Sequence, residues 1–217
     1  GLDEKGYLRL LNDRELQAAI VSSGTHSGFR VLGVDPAAGG DKSSIILKSG
    51  NYQQVLFNQQ LQDTMDLVNV VQDAYREWQC DIIVVDRTGV GQGVYDRLKQ
   101  MDYAVKGVSF GEKAEDEMFV NLKAELHWKE RKWLLSGGRL IQDYGWNEFE
   151  IVKYKNKDGK IMIQPKEELL REGIASPNVV DAAVLTQLVG DSAIKSARVL
   201  KTQGNQFFDK TIEIWRG

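Results

Sequence analysis

Cysteine and histidine are nearly missing from this 217-residue chain, which has one Cys (Cys80) and two His (His26 and His127). A single thiol excludes an internal disulfide framework and a thiolate zinc cluster. Two imidazoles make a histidine-rich metal site a poor fit. Any metal would therefore be held by oxygen, which favours hard ions such as Mg²⁺ or Mn²⁺. No apolar run approaches the ~20 residues of a membrane-spanning helix, so no membrane is expected among the partners. No Gly-x-x-x-x-Gly-Lys-Ser/Thr occurs, so the phosphate loop of an ATPase motor is absent. The opening Gly1-Leu2-Asp3-Glu4-Lys5 has no apolar h-region, so it does not read as a signal peptide. Its start on Gly rather than Met suggests an excised fragment with a tag scar.

The composition is that of a soluble globular core, with 42% hydrophobic and 27% charged residues. The net charge is −3, but its distribution says more than its sum. From Lys123 to Lys166 there are ten Lys/Arg against six Asp/Glu, a local +4 that leaves −7 elsewhere. Two readings fit this asymmetry. One is a polyanion held beside an acidic metal site, and the other is a solvated charged surface.

The chain divides into three stretches. Residues 1–28 hold a short helix (13–21) and a Ser/Gly-rich linker, Ser22 to Gly28. Residues 29–190 form the main domain, and 191–217 a polar tail. Within the main domain the patterning predicts strands at 29–35, 43–48 and 53–60, an antiparallel meander. A helix over 64–79, capped by Thr64, is predicted next. The continuous apolar run Ile82–Val85 marks a strand buried on both faces. A helix through Lys99, a strand at 104–108 and a long helix over 116–135 follow. Strands at 148–154 and 160–164 join through Asp158-Gly159, a strong hairpin signal. Helices at 166–171 and 178–188 complete the domain. This order predicts a mixed α/β sheet with helices on both faces and an added β-hairpin.

Three carboxylates fall at element ends: Asp35 closing the first strand of the domain, Asp86 closing the buried one, and Asp181 in the first turn of the last helix. Loops at strand C-termini are where α/β sheets build sites. A charge closing an apolar run is costly unless it is paired or metal-bound. Each acid alone also fits a plain strand end or helix cap. Gly89-Val90-Gly91-Gln92-Gly93 has the wrong spacing for a dinucleotide loop and reads as a tight strand-to-helix turn. Cys80 is expected as a small buried hydrophobe, His127 as a surface or satisfied histidine, and Trp128, Trp133 and Trp146 as core.

Five stretches in order resemble the nuclease domain of the large terminase subunit of tailed bacteriophages, a ribonuclease H-like family. They are Gly33-Val34-Asp35-Pro36 with Asp41 beyond it, Val84 to Gly91, Phe119 to Glu125, Gly159 to Lys166, and Ser176 to Ala183. The resemblance runs from Phe29 to Val189. It implies a ribonuclease H-like fold and two divalent ions, Mg²⁺ or Mn²⁺, gripped by Asp35, Asp86 and Asp181, with Asp35 bridging. It also implies cutting of concatemeric double-stranded viral DNA during genome packaging, in the host cytoplasm, alongside a portal and a small terminase subunit. The ATPase motor such subunits carry is absent from this chain. Asp41 matches an auxiliary acid of some members, or is a turn residue. Asn178 stands where many relatives have Asp, as an auxiliary water-orienting amide or a helix N-cap.

The candidates for DNA contact are Arg87, Lys123, Lys153, Lys155, Lys157 and Lys160. Lys153, Lys155 and Lys157 alternate onto one strand face. That face is either a DNA-tracking ridge or a lysine-protected sheet edge. The competing functions are a junction resolvase or RNA–DNA hybrid nuclease of the same superfamily, an actin-like sugar kinase or ATPase half, and a non-catalytic DNA-binding module.

Overall fold

The computed structural model describes residues 1–190; the expected tail, 191–217, lies outside the described residues. In chain order the elements are β1 (Leu8–Arg9), α1 (Asp13–Ala19), β2 (Ile20–Val21), β3 (Arg30–Asp35), β4 (Ser43–Ser49), β5 (Tyr52–Gln59), α2 (Thr64–Glu77), β6 (Ile82–Asp86), α3 (Gly91–Gln100) and β7 (Val105–Val108). Then come α4 (Leu122–Leu135), β8 (Arg139–Ile141), a 3-10 helix (Tyr144–Glu150), β9 (Lys153–Lys157), β10 (Lys160–Ile163), α5 (Lys166–Arg171), α6 (Asn178–Leu185) and a last 3-10 turn (Thr186–Leu188).

The main sheet has the order β2-β8-β5-β4-β3-β6-β7. The expected meander is present, with β3, β4 and β5 antiparallel. β6 lies parallel to β3 and β7 parallel to β6, so the two Asp-bearing strands are neighbours at the sheet centre. Apolar side chains alternate across the sheet, as strand geometry requires. Leu32, Val34, Ile83 and Val85 pack against Leu67, Val71, Val94 and Leu98 of α2 and α3. Val31, Ile82 and Val84 face the other way, into a layer built by α1, α4 and α6. The result is a mixed sheet with helices on both faces.

Local chemistry explains where elements begin differently from the sequence reading. α4 starts at Leu122 rather than 116, because Asn121 is extended and its side chain accepts from the Ala124 amide at 3.0 Å. α2 is capped by Asp63, whose side chain accepts from Met65 N, and Thr64 is its first helical residue. The stretch expected as the first hairpin strand, 148–154, is helical up to Glu150. There Asp143 caps Gly145, and Trp146 and Phe149 stack, both fully buried. Strand β8, absent from the sequence reading, joins β5 and β2 in parallel.

Residues 1–28 are built into the same packing. Leu10, Leu11, Leu16 and Ala19 lie in the layer with α4 and α6, and β1 pairs with β9. Cys80 is buried, as expected of a small hydrophobe.

Candidate active site

Strand parity decides which way the acids point. Val31, Gly33 and Asp35 share one face of β3, and Ile82, Val84 and Asp86 share the same face of β6. The parallel register pairs Gly33 with Val84 and Val34 with Val85. Asp35 and Asp86 are therefore adjacent at the end of the two strands, about 5 Å apart in backbone terms, and both face α6. Two glycines make the close approach possible. A Cβ on Gly33 would sit 2.0 Å from the Ala182 carbonyl oxygen, so only glycine lets α6 lie directly on β3 and bring Asp181 over Asp35. A Cβ on Gly91 would sit 1.9 Å from the Asp86 carbonyl oxygen, which explains the glycine loop as a tight strand-to-helix turn.

A cleft of about 490 Å³ opens at this sheet end. Asp35, Asp41, Asp86, Asn178 and Asp181 line it, together with Lys123 and Lys166. Phe110, Val120 and Met162 add an apolar wall. Burial, then the charges of Asp181 and Asp86, push the Asp35 carboxyl well above its ordinary pKa. Burial also raises Asp86, although its carboxylate accepts from Thr88 N at 3.0 Å. Burial acts to raise Asp181 too, but Lys123, His127 and Lys166 outweigh it and hold that carboxyl low. Glu148, from the 3-10 helix, is pushed up to about 7 by burial and the nearby Asp181, against two amide hydrogen bonds.

Those two bonds locate Glu148's structural role. Pro177 occupies the N-cap of α6 and offers no side-chain cap. Glu148 supplies it from outside, accepting from Val179 N at 2.7 Å and Val180 N at 3.2 Å. Asn178 is therefore the first helical residue rather than the N-cap, and it is buried at the cleft.

The DNA-contact candidates separate. Lys123 lines the cleft. Arg87 is outside the lining and faces Glu112 at 3.4 Å. Lys153 is bound to Asp3 at 2.9 Å, and Lys155 lies 4.3 Å over the Tyr7 ring. Lys157 and Lys160, paired across the hairpin, are exposed at its tip.

Three site residues were not singled out from sequence. Lys166 lies 3.6 Å from Asp41, Glu148 caps α6, and His127, read as a surface or satisfied histidine, is fully buried against Asp181. A signal for His127 existed: Lys123, His127 and Glu130 recur at helical spacing on a face that should be apolar.

The donor set suits hard divalent ions. The acids are all-oxygen, and mutual repulsion leaves them with charge to be neutralised. Among the described residues no three or more His, Cys, Asp or Glu side chains are grouped as a ready-made metal-binding cluster. Among the described residues no helix is long and apolar enough to cross a membrane.

No family model and no curated protein matches the sequence. Solved structures do. The nuclease domain of the large terminase subunit gp2 of bacterial virus Sf6 aligns with a TM-score of 0.72 at 18% identity, covering 82% of this chain and 98% of that one. The chain has the fold of a phage large-terminase nuclease domain. A variant of the Sf6 domain with manganese and beta-thujaplicinol aligns at TM-score 0.73 and 17% identity, with the same coverage. The large terminase nuclease of thermophilic phage G20c with bound magnesium aligns at 0.59 and 14%, covering 79% of this chain and 93% of that one. The terminase-nuclease fold thus accounts for most of the chain.

Proposed function

We propose that this chain is a divalent-metal-dependent endonuclease domain that cuts concatemeric double-stranded viral DNA during genome packaging. The observation that supports this most is the cleft. Three acids from β3, β6 and α6 line it together with Lys123 and Lys166. Asp35, Asp86 and Asp181 would hold two ions, Mg²⁺ or Mn²⁺. Two such ions, when bound, supply an activated water and neutralise the leaving oxygen of phosphodiester hydrolysis.

The chain's own residues do the rest. Lys123 and Lys166 hold the scissile phosphate against the carboxylate side, and Asp41 orients the Lys166 ammonium. The Asn178 amide orients a water without adding charge. Lys157 and Lys160 at the hairpin tip contact backbone phosphates, which positions a duplex without reading its sequence. A portal, a small subunit and an ATPase domain on another part of the motor complete the proposed setting in the host cytoplasm.

Cleavage assays on duplex DNA, a four-way junction and an RNA–DNA hybrid test this, each with Mg²⁺, Mn²⁺ or EDTA. Duplex cleavage with either metal and none in EDTA is expected. Full activity in EDTA would remove the metal mechanism, and a strong preference for junction or hybrid would reassign the substrate.

A further inference from the structure

The apolar wall of the cleft is the end of a longer apolar strip on the small sheet. Residues 118–120 run along the free edge of β10. Ile161 N donates to the Met118 carbonyl at 2.8 Å, and Val120 N donates to the Ile161 carbonyl at 3.0 Å. This parallel bridge pairs Phe119 with Ile161, and both side chains pack into the layer beneath. Side chains alternate along an extended chain, so Met118 and Val120 point the other way, on the face that β10 gives to Lys160 and Met162. There Met118 is 41% and Val120 42% exposed. Apolar side chains grouped at the mouth of a charged cleft form a patch, unlike the single hydrophobics that are normal on a surface.

The charges on either side say what the patch fits. Lys157 and Lys160 stand at the outer end of the strip, and Lys123 and Lys166 line the cleft at its inner end. Met162 lies two residues from Lys160 along β10, about 7 Å. A nucleic-acid strand carries the same alternation, with a sugar between each two phosphates. In a duplex its bases are turned inward. Lysines take the phosphates, and the C–H face of a sugar is what remains to cover the apolar strip. We propose that Val120 and Met162, with Met118 beside them, are specificity-determining residues that pack on the C2′ methylene of deoxyribose and select against a 2′-hydroxyl. Val120 offers such a hydroxyl no side-chain partner, and a methionine thioether is only a weak acceptor. The Met118 carbonyl and the Val120 N–H are already engaged with Ile161. A hydroxyl that loses its water here without gaining a partner weakens binding by about tenfold to a hundredfold.

This inference rests on the proposed nucleic-acid-cutting function and adds the residues that sense the sugar. The test compares three duplexes of one sequence: DNA, RNA, and a 2′-fluoro duplex, which shares the A-form of RNA but has no hydroxyl. Affinities are read by fluorescence anisotropy with Ca²⁺ as the oxygen-bound cation, on wild type and on the doubly substituted Val120→Thr, Met162→Gln. Both substitutions keep the side chain's size and add a hydrogen-bonding group. Wild type is expected to bind RNA about tenfold or more weakly than the 2′-fluoro duplex, and the variant to bring the two within about threefold. Equal wild-type affinities for RNA and the 2′-fluoro duplex overturn the inference, whether or not the variant folds. A gap that persists in the folded variant overturns the role of these residues. Duplex DNA that is bound, and cut when Mn²⁺ replaces Ca²⁺, leaves the proposed function standing in either case. Failure to bind any of the three duplexes overturns both.

Discussion

Helix α4 passes two buried acidic places, and they are built differently. Toward its C-terminal end Glu130 is fully buried, and its Oε2 accepts from Gln53 at 2.9 Å and Gln187 at 2.7 Å. Lys48, which donates to Gln187 at 2.8 Å, adds its charge nearby. Toward its N-terminal end Lys123 and His127 face Asp181, with Asp35 and Asp86 beyond. There the negative neighbours of Asp35 add to its burial instead of offsetting it. Glu130 is accommodated at Oε2 by fixed amide donors from β5 and the turn after α6, while burial, with Oε1 unpartnered, still raises its pKa. The cleft acids are accommodated by one another's absence of charge, or by cations that come from outside. A buried acid with donors is architecture, whereas buried acids that repel one another mark a place for a ligand.

The largest effect expected from breaking this contrast is at Asp35. Asp35→Asn should reduce cleavage on the order of 10³-fold, several kcal/mol of transition-state stabilisation. It should also raise the melting temperature in chelator, because a repelling charge is gone. Cleavage at the wild-type rate, or a fall in that melting temperature, would place Asp35 with Glu130. Asp86→Asn and Asp181→Asn should match it in cleavage.

At the other end the signs reverse. Glu130→Ala removes the acceptor of the Gln187 amide, while Gln53 keeps the Ala183 carbonyl and the Thr186 hydroxyl, and should cost about 2 kcal/mol in a urea titration. The molecules that remain folded should cleave normally. A loss of cleavage without a loss of stability would join Glu130 to the site.

A third test uses pH. Glu148 is held up at about 7 in the folded protein against 4.5 for a free glutamate carboxyl. The folded state therefore keeps its proton while the unfolded chain releases it. Stability is full below about pH 4.5 and falls as pH rises toward 7, by about 3 kcal/mol. Asp35 and Asp86 act in the same direction, and Asp181, held low, in the opposite one. The metal-free melting temperature should decline over that window, and Glu148→Gln should flatten the decline. A melting temperature that rises over the window would overturn the assignment.

The smallest effect is expected at the hairpin. Lys157→Ala with Lys160→Ala should leave stability unchanged and reduce the salt slope of DNA binding by about 1 to 2, near 0.9 per phosphate contact. The corresponding change at Lys153 and Lys155 removes only the contacts to Asp3 and Tyr7. It should alter stability by about 1 kcal/mol or less. Equal salt slopes for both pairs would mean that the tip does not touch DNA.

Much of the sheet was legible in the sequence because its signals are local. The apolar run of β6, the alternation along β3 and β4 and the Asp158-Gly159 turn each report a period or a backbone conformation that neighbouring residues fix. The positions of Asp35 and Asp86 at strand ends, and their shared parity, follow from the same arithmetic. Boundaries set by a single capping side chain were less legible. Asn121 delays α4, and Asp143 with the Trp146–Phe149 stack turns an expected strand into a 3-10 helix.

The sequence by itself determined the mixed sheet, the acids at its edge and the shortage of any soft metal ligand. Tertiary structure alone decided what surrounds those acids. It brought Glu148 under the start of α6, set His127 against Asp181, paired Lys166 with Asp41, and drew Lys153 and Lys155 away to Asp3 and Tyr7. The physical reason is range. Periodicity is imposed by bonds between adjacent residues, but the electrostatics of a buried carboxylate depends on whatever the fold places within a few ångströms of it, and those groups come from distant parts of the chain.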